Sequence, residues 1–436
     1  MTISSSLNVG VSGLNANATQ LAAISDNIAN SSTYGYKREQ TDFYSIVIHG
    51  DTSTSYTAGG VRASSMRLID ERGPLIATSN PTDIAIDGRG FLPVTNIGAL
   101  NGQDGEYPIM LATTGSFRPD ASGVLRTETG QVLMGWPADV DGTIPSYPRD
   151  SMSALEPVVI NSSQYVSNPT DEMHLGINLP ATSTQDGADG APFELTVEYY
   201  GNLGTSESLH YTFTPIVPAA GQPATNAWTM TITDSASGDA VVGEYTMTFD
   251  SSQTAGGTLT SVTTVTGAAF DPATGTIPLA VGGGTISLDI GIPGQSGGMT
   301  QLSDNFAPVS ITKNGSPAAS LVSVEVDENG YLHAIYDQGF TKVIFQIPVV
   351  DVPNPNGLIA GNDQTYSISP DSGPYYLWNA GDGPTGAMQG YSREESSVDV
   401  AGELTQLITT QRAYSSNAKV IQTVDEMLQE TTNLKR

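Results

Sequence analysis

The sequence predicts a mixed fold, with α-helical coiled-coil termini and two all-β domains of the antiparallel, barrel- or sandwich-like kind, the outer one inserted into the middle one. Three observations predict it. Both ends of the 436-residue chain repeat apolar residues at heptad spacing. The middle alternates apolar and polar residues between turns drawn from its 47 Gly and 26 Pro. Sixteen acidic residues and no Lys or Arg lie between Arg149 and Lys313, which indicates a separate, well-solvated domain.

The composition excludes several classes of protein. The chain has no cysteine, which excludes disulfide scaffolds and cysteine-ligated metal sites. A formal charge of -29 and a pI near 4.1 disfavour nucleic acid and anionic membrane surfaces as partners. No apolar run approaches the roughly 18 residues of a membrane span, and the first residues lack the regions of a signal peptide. We therefore expect neither membrane insertion nor Sec-dependent secretion.

The first element is a helix, predicted over residues 1–30. Its apolar residues step by four and three positions, interrupted only at Ser25. Asn, Ser and Thr lower its intrinsic helix propensity, so the isolated helix would be marginally stable in water. The predicted seam of this helix consists of Leu7, Val11, Leu14, Ala18, Leu21 and Ile28.

The last element is a second helix, predicted over residues 398–436. Ser397 and Asp399 are candidate N-caps, and Glu403 suits the first turn. Lys435 and Arg436 lie at the C-terminal end, where cations favour the helix dipole. The predicted seam consists of Val400, Leu404, Leu407, Tyr414, Ala418, Ile421 and Leu428, interrupted by Gln411 and Asp425.

Both seams are narrow, so each helix is predicted to need a partner. The spacing alone leaves two interpretations open. One is an intramolecular hairpin of helices that caps a β-rich enzyme, and the other is a pair of helices that assemble with other subunits. The large aromatic side chain at a heptad position, Tyr414, is predicted to be a core residue.

Strands are predicted wherever apolar and polar residues alternate. Asn329–Gly330 lies between two alternating segments and predicts a hairpin, and Asp87–Gly88 predicts another. In the acidic block the alternating residues are Phe193, Leu195, Val197 and Tyr199; Leu209, Tyr211 and Phe213; Trp228, Met230 and Ile232; Tyr245, Met247 and Phe249; and Ile286, Leu288, Ile290 and Ile292.

The sequence carries no recognisable pattern for catalysis or metal binding. Gly88 and Gly90 lack the third glycine and the following helix of a phosphate-binding loop. The acidic segments 139–142 and 186–190 are interpreted as turns, because neither continues as a calcium-binding EF-hand loop. The four histidines are scattered without metal-ligand spacing: His49, His174, His210 and His333. We therefore expect no enzymatic activity, no cofactor and no metal site.

Short motifs at both ends and near residue 90 resemble the signatures of the bacterial flagellar rod and hook family. The segments are 27–30 (NIAN), 33–37 (TYGYK), 79–91 (SNPTDIAIDGRGF) and 411–414 (QRAY). The chain departs from the family pattern at Leu92, at Ser397 and in the acidic segment 393–395. The residues that carry the match are Asn27, Asn30, Gly35, Tyr36, Asp87, Gly88, Gly90, Phe91, Gln411 and Arg412.

The resemblance implies a structural subunit that self-assembles into a flexible curved tube, which couples the flagellar rod to the filament and transmits torque. The large central insertion favours the hook members of the family over rod proteins. Implied partners are further copies of the chain, the rod, the hook cap, the hook–filament junction proteins and the flagellar type III export apparatus. The implied location is extracellular, in the flagellum, without a cleaved signal peptide. Alternatives are a distal rod protein, a flagellin, or a secreted β-rich surface protein or polysaccharide-active enzyme.

The resemblance and the patterns together predict four layers. Residues 1–30 and 398–436 are expected to form the inner tube, in which the two seams are the assembly interface. Residues 31–75 and 385–397 are expected to connect this tube to a middle β domain of residues 76–155 and 299–384. The acidic residues 156–298 are expected to form the outer β domain.

Overall fold

A computed structural model describes residues 3–47, 58–101, 107–139, 142–161 and 165–433. One helix lies near each end: α1 spans Ile3–Ala29 and α2 spans Val400–Asn433. The strands before the acidic block are β1 Glu39–Ser45, β2 Val61–Arg67, β3 Leu75–Ala77, β4 Asp83–Asp87, β5 Leu92–Asn96, β6 Met110–Ala112, β7 Thr114–Ser116, β8 Arg118–Pro119, β9 Leu125–Arg126, β10 Gln131–Pro137 and β11 Glu156–Pro157.

The remaining strands fall into two groups. The first group is β12 Val166–Asn168, β13 Glu172–Leu179, β14 Phe193–Tyr200, β15 Ser206–Pro215, β16 Ala227–Asp234, β17 Ala240–Phe249, β18 Leu259–Thr266, β19 Thr276–Val281, β20 Gly284–Asp289, β21 Thr300–Gln301, β22 Ala307–Lys313 and β23 Ser316–Ala319. The second group is β24 Leu321–Val326, β25 Tyr331–Tyr336, β26 Thr341–Gln346, β27 Val349–Asp351, β28 Ile359–Ala360, β29 Tyr366–Ser367, β30 Tyr376–Trp378, β31 Ala387–Gly390 and β32 Ser392–Glu394. A mostly β chain with a helix near each end confirms the predicted fold class at this level.

The chain divides into two compact units. Unit 1 consists of Met1–Ser162, Ser323–Ile335 and Thr341–Arg436, and unit 2 consists of Ser163–Val322 and Tyr336–Phe340. The predicted boundary at residue 298 falls short of unit 2, because β22 pairs with β13 and β23 pairs with β12. The division into an inner tube, connecting segments, a middle domain and an outer domain stays a prediction of the sequence.

Unit 1 contains both helices and several small sheets. β1 and β2 form an antiparallel ribbon, β3 pairs with β32, β27 pairs with β30, and β4 lies between β31 and β7. The largest sheet has the order β24-β25-β26-β10-β5-β6-β29-β28, with β9 and β11 also paired to β10 and β8 paired to β9. Its core includes the fully buried side chains of Phe91, Trp136 and Tyr366.

Unit 2 contains two larger sheets that share one hydrophobic core. The strands β14 to β18 form an antiparallel meander. The second sheet has the order β19-β20-β13-β21, with β22 on β13. The expectation of a purely antiparallel domain is wrong here, because β13 runs parallel to β20 and β21. The meander and β19 lie between β13 and β20 in the chain and provide the long crossover that a parallel pair requires.

The alternation of apolar residues correctly predicts most of unit 2. All the predicted residues from Phe193 to Phe249 lie in β14, β15, β16 and β17. Ile286 and Leu288 lie in β20, whereas Ile290 and Ile292 follow its end at Asp289. Apolar and polar residues alternate along these strands because only one face of each strand contributes to the shared core, which includes Tyr211, Phe213, Trp228 and Met230.

One predicted hairpin is confirmed and the other is wrong. β24 and β25 are neighbours, and the Gly330 N–H donates to the Asp327 carbonyl in the turn between them. Asp87–Gly88 instead connects β4 to β5, which belong to different sheets: β4 pairs with β31 and β7, and β5 pairs with β10 and β6. The turn itself is present, but the strands on its two sides pair with other strands of the chain and not with each other.

Candidate assembly site

The two terminal helices pack against each other in antiparallel orientation. Asn27, close to the end of α1, contacts Glu403 in the first turn of α2. At the other end of α1, a side chain added at Gly10 would lie 2.9 Å from Ile421. A side chain added at Gly13 would lie 2.8 Å from Asn417. The absence of side chains at these glycines lets the two helices approach closely.

Most residues in the buried face of this helix pair are small or polar, and Ile24 and Val424 are its larger apolar members. On α1 the buried residues that follow Gly10 and Gly13 are Ala16, Asn17, Ala23, Ile24 and Asn27. On α2 the buried residues are Glu403, Thr410 and Val424. The pairing face therefore lies beside the predicted apolar seams and largely excludes them.

The predicted seam residues lie mostly outside the contact between the two helices. Tyr414 is 40% exposed and Leu404 is 47% exposed, so the prediction that Tyr414 is a core residue is wrong within this chain. The two helices instead pack closely at the glycines, which lie on the neighbouring face of α1. The half-buried seam residues are Leu7, Leu14, Leu21, Ile28, Leu407 and Ile421, and the exposed ones are Val11, Ala18, Val400, Leu404, Tyr414, Ala418 and Leu428.

Asn27 is a fully buried polar residue in which all the side-chain hydrogen-bonding groups find partners. Its Nδ2 donates to the Glu39 carbonyl at 2.8 Å and to Glu403 Oε1 at 3.2 Å. Its Oδ1 accepts from the Glu39 N–H at 2.8 Å and from the Tyr36 hydroxyl at 3.2 Å. Asn27 therefore joins α1, α2 and the segment that leads into β1.

Tyr36, another motif residue, is the second partner of the Asn27 side-chain oxygen. Its hydroxyl also donates to Asp26 Oδ2 at 2.9 Å, and the Arg67 guanidinium lies 5.2 Å from its ring centroid. Burial, followed by the hydrogen bond to Asp26, raises the pKa of Tyr36 well above its ordinary value. Tyr36 is therefore a neutral hydrogen-bond donor at physiological pH.

Four charged residues, which we call the charge clasp, connect the same segment to α2 and to β32. They are Lys37, Arg38, Glu394 and Glu403. Lys37 Nζ lies 2.7 Å from Glu394 Oε1, and Arg38 Nε lies 2.5 Å from Glu403 Oε1. Lys37, Glu394 and Glu403 are buried, and Arg38 is half-buried. Two adjacent bases thus pair with carboxylates on two different elements.

Several hydrogen-bond donors surround the carboxylate of Glu394. Besides Lys37, its Oε1 accepts from the Gly73 N–H at 2.9 Å, and Arg72 Nη1 lies 3.6 Å from its Oε2. Lys37 Nζ also donates to the Glu71 carbonyl at 2.6 Å. Burial lowers the pKa of Lys37 to about 8, although the nearby carboxylate opposes this shift.

The glycine motif near residue 90 adjoins this cluster. Arg72 Nη2 donates to the Gly90 carbonyl at 2.7 Å, and its guanidinium lies 5.5 Å from the Phe91 ring centroid. Gly90 has a φ of +125°, and a Cβ there would lie 2.1 Å from Val349. Gly88 has the same φ, and Asp87 ends β4 with its side chain exposed. The motif is therefore a site of close backbone packing beside the charge clasp.

The other motif residues have simpler environments. Asn30 follows the end of α1, and its side chain bonds Asp26 at 3.0 Å. Gly35 has a φ of +71°, and its N–H donates to the Glu394 carbonyl. Gln411 and Arg412 are exposed on α2.

The start of α2 distinguishes the two candidate N-caps. Asp399 Oδ1 accepts from the Ala401 N–H at 3.1 Å, so Asp399 caps the helix. Ser397 Oγ instead accepts from the Arg38 N–H at 3.0 Å. Glu403, predicted only as a favourable first-turn acid, is an ion-pair partner. The two cations predicted at residues 435 and 436 lie outside the described residues.

The part of the chain that the structure describes offers neither a metal cluster nor a membrane-spanning helix. No group of three or more potential ligand side chains is placed there to hold a metal ion. His174 pairs with Asp289 and His333 with Asp327, each at 3.0 Å, whereas position 49 lies outside the described residues. Among those same residues neither helix is long and apolar enough to cross a membrane.

Sequence reasoning identified Asn27 and Tyr36 but missed the ion pairs of the charge clasp. In the sequence Lys37 is only the last residue of a family motif, and Glu394 belongs only to a segment that departs from the family pattern. The partners are 357 and 365 positions apart in the chain. The available signal was two adjacent bases, Lys37–Arg38, next to a helix end in a chain that has few bases.

Comparisons with known proteins agree with this arrangement. Three family models match: Flagella basal body rod protein over residues 7–37, Flagellar basal body protein FlaE D2 domain over 160–316, and Flagellar basal body rod FlgEFG protein C-terminal over 388–434. The first match ends at Lys37, one residue before Arg38, and the last includes Glu394 and Glu403, so the two matches contain three of the four residues of the charge clasp.

Whole-chain relatives give the same result. The chain is 31% identical to the flagellar hook protein FlgE of Brucella suis and 33% identical to that of Rhizobium meliloti, over 100% of each chain. It is 28% identical to the FlgE of Salmonella typhimurium over 99% of this chain and 100% of that one. A crystal structure of Helicobacter pylori flagellar hook protein FlgE2 matches 72% of this chain and 99% of that one, with 12% identity and a TM-score of 0.47. From the sequence relatives, the chain belongs to the family of flagellar hook proteins, the structural subunits of the hook.

Proposed function

We propose that this chain assembles with copies of itself into the hook through the exposed faces of α1 and α2. The hook is a flexible curved tube that couples the rod to the filament and transmits motor torque. The observation that carries the proposal is that α1 and α2 pair mainly through small and polar residues, while several large apolar residues of α2 remain exposed.

The exposed apolar residues continue along α2. They are Val400, Leu404, Ile408, Tyr414, Val420, Met427 and Leu428. By helix periodicity Val400, Leu404, Ile408, Tyr414 and Leu428 lie on one side of α2, whereas Val420 and Met427 lie on the other. Burying apolar surface stabilises an association by roughly 25 cal/mol per Å², so the first of these faces favours contact with another subunit. The ribbon of β1 and β2 adds exposed Phe43, Tyr44 and Met66 beside α1. A cavity of about 520 Å³ between α1 and this ribbon is lined by uncharged residues.

The charge distribution supports an outer position for the acidic block in the tube. Between Arg149 and Lys313 the chain carries acidic residues and no Lys or Arg, and this charge is best solvated on the outer surface. We place residues 1–30 and 398–436 at the inner tube, where uncharged stretches of α2 are available for packing. Residues 31–75 and 385–397 connect the tube to the middle domain.

Assembly in the flagellum defines the remaining partners that we propose. They are the rod, the hook cap, the hook–filament junction proteins and the type III export apparatus. Export through the flagellum requires neither a cleaved signal peptide nor membrane insertion, which agrees with the composition of the chain. We assign the chain a structural role without enzymatic activity.

One pair of variants tests the proposal. Leu404→Asp places a charge on the exposed apolar face, and an unpaired charge in a dry contact is strongly destabilising. Thr405→Asp adds the same charge one position further along α2, where the side chain is also exposed. Both variants are expected to give folded soluble chains by circular dichroism. In a hook-null strain, electron microscopy should detect hooks with Thr405→Asp and none with Leu404→Asp.

Two results would contradict the proposal. One is a normal hook yield from Leu404→Asp, which would place the assembly contact elsewhere. The other is an equal loss of hooks from both variants, which would show that the added charge acts without regard to the apolar face.

A further inference from the structure

Three consecutive residues between α1 and β1, and the first residue of β1, bind α1, α2 and β32. Tyr36 bonds Asp26 and Asn27 on α1. Lys37 bonds Glu394 on β32. Arg38 bonds Glu403 on α2. The backbone of the fourth residue, Glu39, exchanges two hydrogen bonds with the Asn27 side chain.

Backbone hydrogen bonds hold the two connecting segments side by side. The Gly35 N–H donates to the Glu394 carbonyl at 2.9 Å, and the Ser397 N–H donates to the Tyr36 carbonyl at 3.0 Å. The Arg38 N–H donates to Ser397 Oγ. The chain that leaves α1 and the chain that enters α2 are therefore joined residue by residue, and the two ion pairs of the charge clasp flank this junction.

Burial of these charges points to a role in orientation rather than in stability. Removing two charges from water costs about as much free energy as their attraction returns, so apolar residues of similar size often replace a buried pair without loss. An apolar contact, however, tolerates sliding and rotation, whereas an ion pair with fixed hydrogen bonds requires one geometry. Within the described residues Glu403 Oε2 is buried without a hydrogen-bond partner, which is a further cost to stability.

We infer that the charge clasp fixes the direction in which the α1–α2 pair leaves the β3–β32 pair. Lys37 and Arg38 are positioning residues: they orient the helix pair, and the exposed face of that pair makes the contact with the next subunit. The inference rests on the proposed assembly of the helices into a tube. Its consequence is that subunits without the clasp fold normally but present their helices in more than one direction.

The test replaces one ion pair of the full chain by apolar residues. Arg38→Met combined with Glu403→Leu removes one positive and one negative charge from the clasp. The matched control, Arg126→Met combined with Asp120→Asn, removes the same charges from a surface pair whose atoms lie 3.3 Å apart. Wild type and both variants are produced in a hook-null strain, and the curvature of isolated hooks is measured by electron microscopy.

The clasp variant is expected to unfold within about 3 °C of wild type, because a buried pair contributes little net stability. Its hooks should be absent or should show a distribution of curvature about twofold broader than that of wild type and the control, because orientation is lost. Uniform wild-type hooks from the clasp variant would overturn the inference. A much larger fall in melting temperature would also overturn it, since the clasp would then act through stability.

A charge swap checks that the ion pair itself is responsible. Arg38→Glu combined with Glu403→Arg restores a pair of opposite polarity and should recover at least half of the wild-type hook yield, whereas each single change should not. A folded double variant that behaves like the single changes would overturn the inference. Failure of the proposed function appears differently, as an absence of hooks from wild type and the surface control as well.

Discussion

Asn27 Nδ2 donates a hydrogen bond of 3.2 Å to Glu403 Oε1, although 376 positions separate the two residues in the chain. This contact is buried and lies where α1 ends and α2 begins. Apolar side chains can slide past one another at low cost, but a buried amide must keep its partners. The contact therefore fixes the register of the antiparallel helix pair at one end. Near the other end, Gly10 and Gly13 allow the two helix axes to approach closely.

Replacing Asn27 should be far more costly than replacing Asn30. Asn27→Ala removes the partner of the Glu39 backbone N–H and carbonyl, and we expect a loss of about 2 to 3 kcal/mol. Asn30→Ala removes exposed hydrogen bonds to Asp26 and one part-buried bond from the Thr33 hydroxyl, and we expect a loss of about 0.5 kcal/mol. Denaturant unfolding followed by helix circular dichroism measures both. Equal losses would show that Asn27 does not organise the helix pair.

Lys37 should titrate well below an ordinary lysine. Its pKa is about 8 in the folded chain, against 10.5 for an exposed lysine, and the chain has only five lysines to resolve by NMR. One labelled lysine should titrate near pH 8, and its signal should be missing from Lys37→Arg. A spectrum in which all lysines titrate above pH 10 would contradict the burial of Lys37.

The same shift predicts how stability depends on pH. Between about pH 8 and 10.5 the unfolded chain keeps the Lys37 proton that the folded chain has lost, so the unfolded state binds more protons. The free energy of unfolding should therefore rise with pH across this window relative to Lys37→Arg, whose charge does not change. Parallel pH profiles for the two proteins would rule out this linkage.

The strands of unit 2 were predictable because each follows a local rule. Met230 and Phe213 each belong to a run in which every second residue is apolar, because one face of the strand packs in a single core. This period of two is visible in the sequence itself. The parallel pairing of β13 was not predictable, because it depends on which of the strands that follow the long meander pairs with β13. The same reason explains Asp87–Gly88: a turn was recognisable, but β31 pairs with β4 from 300 positions further along the chain.

The helices were predictable and their contact face was not. Periodicity finds large apolar residues such as Leu404, whereas the observed pairing face depends on Gly10 and Gly13, where missing side chains create the contact. The charge clasp was hidden for a related reason. Lys37 and Glu394 have no local pattern in common, and only the folded chain brings them to 2.7 Å.

Gly90 should be among the least replaceable residues of unit 1. An alanine there would combine a backbone of φ +125° with a Cβ 2.1 Å from Val349, and we expect a loss of about 3 kcal/mol or more. Gly381 is a suitable control, because its φ is +78° and nothing lies within 4 Å of an added Cβ. Gly381→Ala should cost about 1 kcal/mol. Thermal unfolding measures both, and adding Val349→Ala should recover part of the loss only with Gly90→Ala.

Excision of the acidic unit tests where its boundaries lie. Removing residues 163–322, with a short Gly/Ser linker, takes out β12 to β23 together with their pairings, and also the first two residues of β24 at the edge of its sheet. Unit 1 should remain folded, because, among the described residues, the core cluster around Phe91, Trp136 and Tyr366 contains none from the excised segment. Hooks should still form, with altered curvature, since the helices keep their exposed faces.

Excision of residues 156–298, the boundary suggested by the sequence, should instead fail. It would leave β22 and β23 without β13 and β12, their pairing partners. It would also remove β11, which pairs with β10, and the fully buried Val158 beside it. Exposed strand edges of this kind promote aggregation. Size-exclusion chromatography and circular dichroism should therefore distinguish a soluble, folded 163–322 deletion from an aggregated 156–298 deletion. Equal behaviour of the two proteins would mean that the strands from 299 to 322 do not depend on β12 and β13 for their folding.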